Sequence, residues 1–479
     1  MIRDLLERLP GAQERLRGLD VILGAGVLLV LTAVILTLPG KFVLGGILAI
    51  IAGVYFFTNP RVSLFAIFFI RIIIDLFWWV GGEGGLNLLE AFGGGVAALA
   101  AVMFYLELRR VQRVPGFFPL MSYLAILVIA ALRSGSGRDA AEILAKYVSP
   151  LLLMFLISTM MDREADRRTL VLIITVAGLC SLTLSAYHLL NGQQHEHLRQ
   201  GYYRLVGGYK NLHNHALFLL TLNTLLFFWA MSTRGVWRAL AGGALLIGLV
   251  CMYYTYVRTA LTGFAVFTLV YLLMERRYGL VGLAALAGVV LLATNADMQD
   301  RFSDLLLVTS EDVDNKRTLG SGRFGIWTSS MAEFLKQSPA DQLFGLGLGG
   351  HYEMTDSYAN MFRSTEKSEN LDSHNDYLGL LYQLGPIATL SYIAVQVQVF
   401  VQGFFVHRRA LSPWSRRFGA FMVALCSVTV ITNFLSNSYI QRVTVAWLFW
   451  GLVGVLFAIA INERRRLALE GRPEVVKLV

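Results

Sequence analysis

Charge and cysteine are both scarce in this chain of 479 residues. Charged residues make up 15% of the sequence and hydrophobic residues 56%, and the mean hydropathy is +0.59. This balance excludes an ordinary soluble globular protein, in which about a quarter of the residues are charged. The three cysteines, Cys180, Cys251 and Cys426, lie in apolar runs without metal-ligand or redox spacing, so we interpret them as packing residues.

Two further absences narrow the fold class. The sequence lacks the period-2 alternation of apolar and polar residues that is typical of a transmembrane β-barrel. No cleavage site of the signal-peptide type follows the first apolar run, so we expect this run to be an anchor after the basic amphipathic segment at 1–20. We also find no internal repeat and no separate soluble domain. The sequence therefore predicts a single polytopic membrane domain over residues 1–479.

Apolar runs long enough to cross a bilayer recur along the whole chain. Each crossing needs about 20 residues, and a spanning helix satisfies its own backbone hydrogen bonds. We therefore predict an all-α integral membrane protein, a polytopic bundle of about 12–14 transmembrane helices. The runs lie near 21–38, 42–58, 62–80, 87–106, 117–133, 143–161, 169–190, 213–231, 238–254, 259–274, 279–294, 386–406, 418–435 and 443–461.

The formal net charge of +9 arises mainly from arginines that cluster between apolar runs. Short basic loops at alternate crossings follow the positive-inside rule, so we expect these clusters and both termini on the cytoplasmic side. The positive-inside rule thus accounts for most of the net positive charge, and the charge does not indicate a nucleic-acid partner. The clusters contain Arg109, Arg110, Arg113, Arg163, Arg167, Arg168, Arg276, Arg277, Arg408, Arg409, Arg416, Arg417, Arg464, Arg465 and Arg466.

Two polar segments lie on the outward side of this predicted topology. The first covers 191–212, and the second, at 295–373, far exceeds the usual length of a connection, which indicates a functional or a disordered loop. Four apolar residues of the second segment share one face at helical spacing, and 338–339 (Ser-Pro) would end that helix. The glycine-rich FGLGLGG at 344–350 would turn the chain back. The four residues are Trp327, Met331, Phe334 and Leu335.

We therefore expect a long, partly helical outward loop that carries part of the active site. Its apolar stripe would lie on the membrane surface or pack on the bundle. At its end, SHNDYLGLLYQLG (373–385) places a histidine and an asparagine where the polar segment gives way to membrane helix. Histidine titrates near neutral pH, so His374 is a candidate base at a membrane–water boundary.

The same topology places Arg204, Arg258 and Arg323 on the outward face with His374. Arginine stays charged and can clamp a phosphate bidentately, and a lipid diphosphate suits that depth in the membrane. Such arginines would stabilise the charge on a diphosphate leaving group. The histidine could take a proton from an attacking hydroxyl, with Asn375 or Asp376 orienting it.

Each of these residues also has a structural interpretation. Arg204 and Arg323 could be solvated or bind lipid headgroups. An arginine between two membrane runs is costly unless it is paired or functional, which strengthens the case for Arg258. His374 could cap its helix, and Tyr377 fits the aromatic belt at the membrane interface.

Three other patterns carry less functional information. Arg71 and Asp75 stand four apart in an apolar run and predict an intramembrane ion pair, either structural or lining a substrate path. The histidine pairs within 195–197 and 213–215 resemble no closed zinc site, so we assign no metal. FGLGLGG lacks the Lys-Ser/Thr of a phosphate-binding loop and follows no strand, which argues against nucleotide binding.

Three motifs resemble those of the O-antigen ligase and polymerase superfamily, the membrane glycosyltransferases of the bacterial cell envelope with a GT-C type of fold. YVRTALTGF (256–264) is similar to its Ser/Thr-Arg-small pattern at an outward helix start. GSGRFGIW (320–327), with the following proline and glycine turn, is similar to its Arg-x-x-x-Trp helix and Gly-x-Gly loop. HNDYLGLLYQLG (374–385) is similar to its His-Asn-x-Tyr-Leu signature. The order and the spacing agree over about 204–390.

This resemblance implies an inverting, metal-independent transfer without a cofactor. The donor would be a glycan linked to undecaprenyl diphosphate, and an acceptor hydroxyl would attack the anomeric carbon while the lipid diphosphate leaves from the opposite face. Carried over by position, Arg258 and Arg323 would bind the diphosphate, and His374 would activate the acceptor. Arg204 is a looser match to an arginine that precedes a glycine-aromatic element, here GGYKN (207–211).

The resemblance also implies further substrate contacts and a cellular location. Lys210, Asn211, Asn375 and Tyr377 are candidate substrate-binding residues. The active site would face the periplasm from the bacterial inner membrane, among membrane lipids and other proteins of envelope polysaccharide assembly.

Polymerases join lipid-linked repeats, and ligases attach the finished chain to the lipid A core. The shared motifs do not separate the two activities. The Lys210-Asn211 pair and a crossing count above the ligases' usual about twelve favour a polymerase, and a ligase stays open. A lipid-linked glycan transporter is a more distant alternative, since it would predict charged or broken helices near the midplane and often an inverted repeat. A structural scaffold would leave the converging arginines unexplained.

Overall fold

The chain forms a bundle of helices. The computed structural model describes residues 51–78, 88–135, 137–193, 196–197, 203–294, 299, 323–355, 373–437, 440 and 442–471. The predicted crossing at 21–38 and the first part of the one at 42–58 lie outside the described residues. So do 295–298, 300–322 and 356–372, which belong to the long outward segment, and His195.

The helices follow one another with short connections, apart from the two outward segments. A single short antiparallel pair of strands lies in the first outward segment, among the described residues. The elements are α1 Pro60–Ile74, α2 Leu88–Leu106, α3 Leu108–Val111, α4 Phe117–Arg133, α5 Gly137–Met160, α6 Glu164–Leu190, β1 Glu196–His197, β2 Tyr203–Arg204, α7 Leu212–Ser232, α8 Gly235–Tyr254, α9 Arg258–Met274, α10 Tyr278–Thr294, α11 Arg323–Phe334, α12 Pro339–Phe344, α13 Asp376–Arg409, α14 Pro413–Leu435 and α15 Val443–Leu469. A 3₁₀ turn, Asp75–Phe77, follows α1.

Among the described residues, eight helices are long and apolar enough to cross a membrane, namely α2, α5 to α8 and α13 to α15. The helix α15 is buried over 94% of its apolar window and packs against α5, whereas α2 and α8 are each buried over only 17%. A helix that is apolar all round is expected in the centre of a bundle or against lipid. The prediction of an all-α polytopic membrane protein is confirmed.

The helix that follows the second outward segment begins earlier than predicted. Hydropathy predicts a crossing at 386–406, but α13 begins already at Asp376 and runs through a break at Gly385, where φ is 77°. Pro386 explains the break, because proline has no N–H for the helix and disfavours a helical conformation in the preceding residue. The short first part of α13, 376–384, is therefore set apart from the crossing that follows it.

The glycine-rich loop at 344–350 docks against this break. The Leu346 amide donates to the Tyr382 carbonyl (2.9 Å), which is the carbonyl that Pro386 cannot serve in an α-helix. The contact requires glycine: a Cβ on Gly345, whose φ is 73°, would lie 2.3 Å from the carbonyl carbon of Gln383. The loop thus satisfies backbone groups that the break exposes, as a membrane interior requires.

The apolar stripe of the second outward segment packs on the bundle through most of its residues. The Trp327 ring lies 5.2 Å from that of Phe434, and the Phe334 ring lies 5.2 Å from that of Tyr382. Leu335 is the exception, since it is 63% exposed. Helix α11 ends before Ser338, whose side chain caps α12 at Pro339, as the sequence predicts.

A buried ion pair joins α1 to α15, as the i, i+4 spacing predicts. Arg71 Nη1 lies 2.5 Å from Asp75 Oδ1, and both side chains are almost fully buried. The Thr444 hydroxyl donates to the other carboxylate oxygen, and the guanidinium lies over the ring of Trp447. The pair therefore fixes the start of α15 to the end of α1.

The bundle has two chemically different ends. At one end, here called the histidine end, α7, α9, α13 and α15 begin and α8 and α14 end. At the other, here called the basic end, the arginine clusters of the connections meet, for example through contacts of Asp162 with Arg61 and Arg465. The residues predicted to carry chemistry lie at the histidine end.

Candidate functional site

Two histidines face each other at the histidine end. His213 is the second residue of α7, and His374 immediately precedes the capping residue of α13; their ring centroids lie 6.5 Å apart. Both side chains are half-buried. His374 has a φ of 48°, a left-handed conformation that costs a non-glycine residue about 1–3 kcal/mol. Strain of this size at a titratable residue marks the pair as a candidate site.

Asparagines hold the two helix starts. The Asn211 side chain accepts hydrogen bonds from the His213 amide (2.8 Å) and the Asn214 amide (3.4 Å) and so caps α7. The Asn375 side chain accepts from the amides of residues 377 and 378 at 3.0 and 3.1 Å and caps α13. Asparagine is among the preferred capping residues because it satisfies amides that lack helical partners. The cap interpretation of His374 is therefore wrong: its neighbour Asn375 performs that role.

Arg204 lies on the turn that precedes Arg258. Its Nε donates to the Thr255 carbonyl at 2.9 Å, and its Nη2 lies 3.4 Å from the Tyr256 carbonyl. The Leu205 amide adds a bond to the Tyr254 carbonyl at 3.0 Å. The end of the first outward segment thus docks on the α8–α9 turn, which brings Arg204 close to the first residue of α9.

Helix α11 carries Arg323 to the end of α14. The Arg323 guanidinium donates to the Leu435 carbonyl, a helix-terminal group without a helical partner. One turn further along the same face, Trp327 Nε1 donates to the Ser373 carbonyl at 2.8 Å. Arginine and tryptophan four positions apart therefore link α14 to the residue that precedes His374.

A fourth arginine completes this region and was missed by the sequence analysis. Arg442 is the residue directly before α15, and its side chain does not hydrogen-bond to the first amides of that helix. Instead, its Nε donates to the Asn437 carbonyl at 2.5 Å. Its Nη1 lies 3.3 Å from Asn211 Oδ1 and donates to Asn214 Oδ1 as well. The argument that singles out Arg258, an arginine in a short outward turn between two crossings, applies equally to this residue.

These groups converge electrostatically on the His213 ring. The charged or titratable groups that act on it are Arg442, Arg204, His374 and Arg323. The guanidinium groups of three arginines thus lie close enough to the partly buried His213 ring for their charges to act on it, an arrangement that favours an anion nearby. Arg258 is half-buried at the start of α9, beside the turn that Arg204 contacts.

Three predicted substrate-binding residues have different surroundings. Lys210 is exposed. Asn375 is buried and its side-chain oxygen is used in the helix cap. The Tyr377 hydroxyl donates to Gln396 inside the bundle at 2.8 Å, so the structure directs it away from the interface that the belt interpretation expects.

His215 has a separate, structural environment. Its ring is fully buried, 3.2 Å from the Ser185 hydroxyl, and a Cβ on Gly207, whose φ is 60°, would lie 2.3 Å from it. Tyr209 packs on the same ring, and burial, with the nearby Asp75 charge, raises the pKa of the Tyr209 phenol well above its usual range. The glycine-aromatic element therefore closes over His215. Among the described residues, no group of three or more His, Cys, Asp or Glu could hold a metal ion.

Comparison with known proteins identifies the central part of the chain. Residues 243–393 match the family model described as O-antigen ligase. The matched segment contains Arg258, Arg323 and His374, whereas Arg204 and Arg442 lie outside it. No match is found among the curated proteins. The match over 243–393 therefore supports the resemblance of this polytopic membrane protein to the superfamily of O-antigen ligases and polymerases.

Proposed function

We propose that the protein is an inverting membrane glycosyltransferase that polymerises glycan repeats linked to undecaprenyl diphosphate. The observation that carries the proposal is that the charges of Arg204, Arg323 and Arg442 act on the His213 ring, whose centroid lies 6.5 Å from that of His374, at one end of the bundle. A membrane-boundary site that combines fixed positive charge with a base suits a lipid-diphosphate donor and a hydroxyl acceptor.

The arginines would bind the diphosphate of the donor. Arg258 and Arg323, which fall within the matched domain, are the proposed first contacts, and Arg204 lies on the turn beside Arg258. A guanidinium presents a planar fork to phosphate oxygens and remains charged at every relevant pH. As the bond to the anomeric carbon breaks, the diphosphate gains negative charge, which these groups would stabilise. In this proposal the arginines supply the positive charge at the leaving group, and no metal ion takes part.

His374 would act as the general base. The acceptor hydroxyl attacks the anomeric carbon, its proton passes to the imidazole, and the lipid diphosphate leaves from the opposite face of the sugar, so the configuration inverts. The imidazolium then releases the proton to water. A positioned general base contributes about 10²–10⁴-fold to a rate. The strained backbone at His374 and the cap at Asn375 would hold the ring towards the acceptor.

The charge distribution supports one orientation. The basic end, with its arginine clusters, would lie in the cytoplasm of a bacterium, and the histidine end would face the periplasm from the inner membrane. In a polymerase, the lipid-linked donor and the lipid-linked acceptor repeat would then both reach the site from the bilayer, with their glycans on the periplasmic side.

A ligase activity is the second candidate, because the matched family model is described as O-antigen ligase. The test uses the purified full-length protein in nanodiscs and a purified lipid-linked repeat, with and without lipid A core. A product ladder without the core supports the polymerase. Transfer only to the core establishes the ligase instead. If neither product forms while the lipid-linked repeat crosses the bilayer of a vesicle, both proposals fail in favour of a transporter.

A further inference from the structure

We propose that Arg442 is a further donor-binding residue, and that Asn211 and Asn214 position it; this inference rests on the proposed function. Arg442 lies in the short turn between α14 and α15, outside the matched domain and outside the set of residues that the motifs indicate. Its proposed ligand is the diphosphate of the lipid-linked donor.

The surroundings of Arg442 fix the direction of its guanidinium. The three described acceptors are the Asn437 carbonyl and the side-chain oxygens of Asn211 and Asn214. They come from two separate parts of the chain, so the group is held from two sides. These three acceptors are neutral amide oxygens, which orient a guanidinium through hydrogen bonds.

Arg442 also lies close to an arginine that the proposed function already places on the diphosphate. Arg323 donates to the carbonyl of Leu435, and Arg442 donates to the carbonyl of Asn437. The two carbonyls belong to residues two positions apart, so the chain separates them by at most about 7 Å. Two guanidinium groups anchored so close together are well placed to contact a single diphosphate.

The placement of these charges is unfavourable for the helices themselves. Arg258 is the first residue of α9, and Arg442 is the capping residue of α15. The start of a helix carries partial positive charge, so a cation there costs about 0.3–1 kcal/mol where an anion would gain the same. An anionic ligand at the histidine end offsets this repulsion. The structure therefore assigns Arg442 to the binding of an anion as well as to the hydrogen bonds that hold it.

The first test compares two arginines that both precede a membrane helix. Arg442→Gln is measured beside Arg234→Gln, which changes the capping residue of α8 at the basic end, in the full-length protein in nanodiscs. We expect Arg442→Gln to raise the KM for the lipid-linked donor about 10- to 100-fold, the loss of one charged hydrogen-bonding group, while the KM for the acceptor stays unchanged. Arg442→Lys should recover part of the loss, and Arg234→Gln should match the wild type.

A second variant separates binding from folding. Asn211→Asp keeps the cap of α7, and a carboxylate at a helix start is at least as stabilising as an amide. The same carboxylate would pair with Arg442 and neutralise it. We therefore expect the melting temperature to stay the same or rise while the donor KM increases about tenfold. If Asn211→Asp lowers the melting temperature and leaves the donor KM unchanged, Arg442 is structural and the inference is wrong.

The source of the phosphate groups is tested in parallel. The kinetic measurements are repeated in nanodiscs of phosphatidylcholine alone and in nanodiscs that also contain phosphatidylglycerol. An effect of Arg442→Gln in the neutral bilayer assigns the contact to the donor diphosphate. An effect that appears only with phosphatidylglycerol assigns it to lipid headgroups and overturns the inference.

A binding assay with a fluorescent short-chain isoprenyl diphosphate tests the role of Arg442 separately from the proposed function, because it measures anion binding without glycan transfer. A wild-type protein that transfers no glycan contradicts the proposed function. Loss of probe binding in Arg442→Gln would still support an anion-binding role for Arg442. A wild-type protein that does transfer glycan, together with an Arg442→Gln variant that binds the probe and uses the donor normally, contradicts the inference alone.

Discussion

The two ends of the bundle differ in the partners described for some of their arginines. At the basic end, Arg61 lies 3.3 Å from Asp166 and Arg466 lies 2.6 Å from Glu470, although Arg417 there donates to the Met231 carbonyl. At the histidine end, the described hydrogen bonds of the three arginines near the His213 ring end on neutral carbonyl and amide oxygens. These arginines are Arg204, Arg323 and Arg442.

Under the proposed function, these two sets of arginines have different tasks. A carboxylate partner at a half-exposed site satisfies the guanidinium and contributes little to stability, about 0–1 kcal/mol. A carbonyl oxygen directs a guanidinium without adding a full negative charge beside it. We therefore expect substitutions at the histidine end to change glycan transfer and those at the basic end to leave it unchanged.

The largest expected effect comes from removing the base at the histidine end. His374→Ala should lower the rate of glycan transfer about 10²–10⁴-fold, the contribution of a general base. The matched control is His407→Ala at the basic end, where the ring lies 3.1 Å from the Arg416 carbonyl, and its transfer rate should equal that of the wild type. Initial rates in nanodiscs give both values. Full activity in His374→Ala, with normal insertion, would contradict the proposed role.

A conservative arginine change tests the comparison directly. Arg258→Lys should lower kcat/KM for the donor about 10- to 100-fold, because a point charge replaces a bidentate fork. At the basic end, Arg61→Lys keeps its attraction to Asp166 and should leave kcat/KM unchanged. Steady-state kinetics at varied donor concentration checks both. A wild-type kcat/KM for Arg258→Lys would mean that this arginine has a structural role and does not bind the donor.

A smaller effect is expected from the contact that holds the residue before the base. Trp327→Phe retains the ring contact with Phe434 and removes the hydrogen bond to the Ser373 carbonyl, which contributes about 1 kcal/mol. Transfer should fall about fivefold through kcat, with the donor KM unchanged. The matched change Trp229→Phe, which removes a bond to Thr175 elsewhere in the bundle, should leave kcat at the wild-type value. Equal kcat values for the two variants would show that the contact made by α11 does not affect the rate of glycan transfer.

The smallest effect is expected at the basic end. Arg61→Gln removes a pair with Asp166 whose arginine is 41% exposed, so the free energy of unfolding should change by less than about 1 kcal/mol and transfer should not change. Thermal unfolding of the purified protein and the transfer rate measure these two quantities. A loss of glycan transfer in Arg61→Gln would mean that arginines at both ends of the bundle affect activity, contrary to our expectation.

Local rules predicted much of the fold and part of the site. The length of an apolar run follows from bilayer thickness, so the crossings of α5 to α8, α14 and α15 were readable from composition. The pair of Arg71 and Asp75 followed from i, i+4 spacing. The crossing of α13 was predicted from 386, whereas the helix begins at Asp376, because Asn375, Asp376 and Gln383 lower the hydropathy of the stretch before Pro386.

Long-range contacts could not be predicted in the same way. Arg442 and Asn214 are 228 positions apart, and Thr444 and Asp75 are 369 positions apart. No local pattern specifies which helix starts become neighbours in a bundle, since that depends on packing over the whole chain. For the same reason the His213 ring was considered only as a metal ligand in sequence, whereas the structure places it opposite His374.

The break at Gly385 divides α13 into a short part, 376–384, and a long part, 386–409, and the loop at 344–350 binds at the break. The two parts remain connected by a side chain, because the Tyr377 hydroxyl on the short part donates to Gln396 on the long part at 2.8 Å. We therefore expect a change in the tilt of the long part within the bilayer to reach the backbone at His374 through this hydrogen bond.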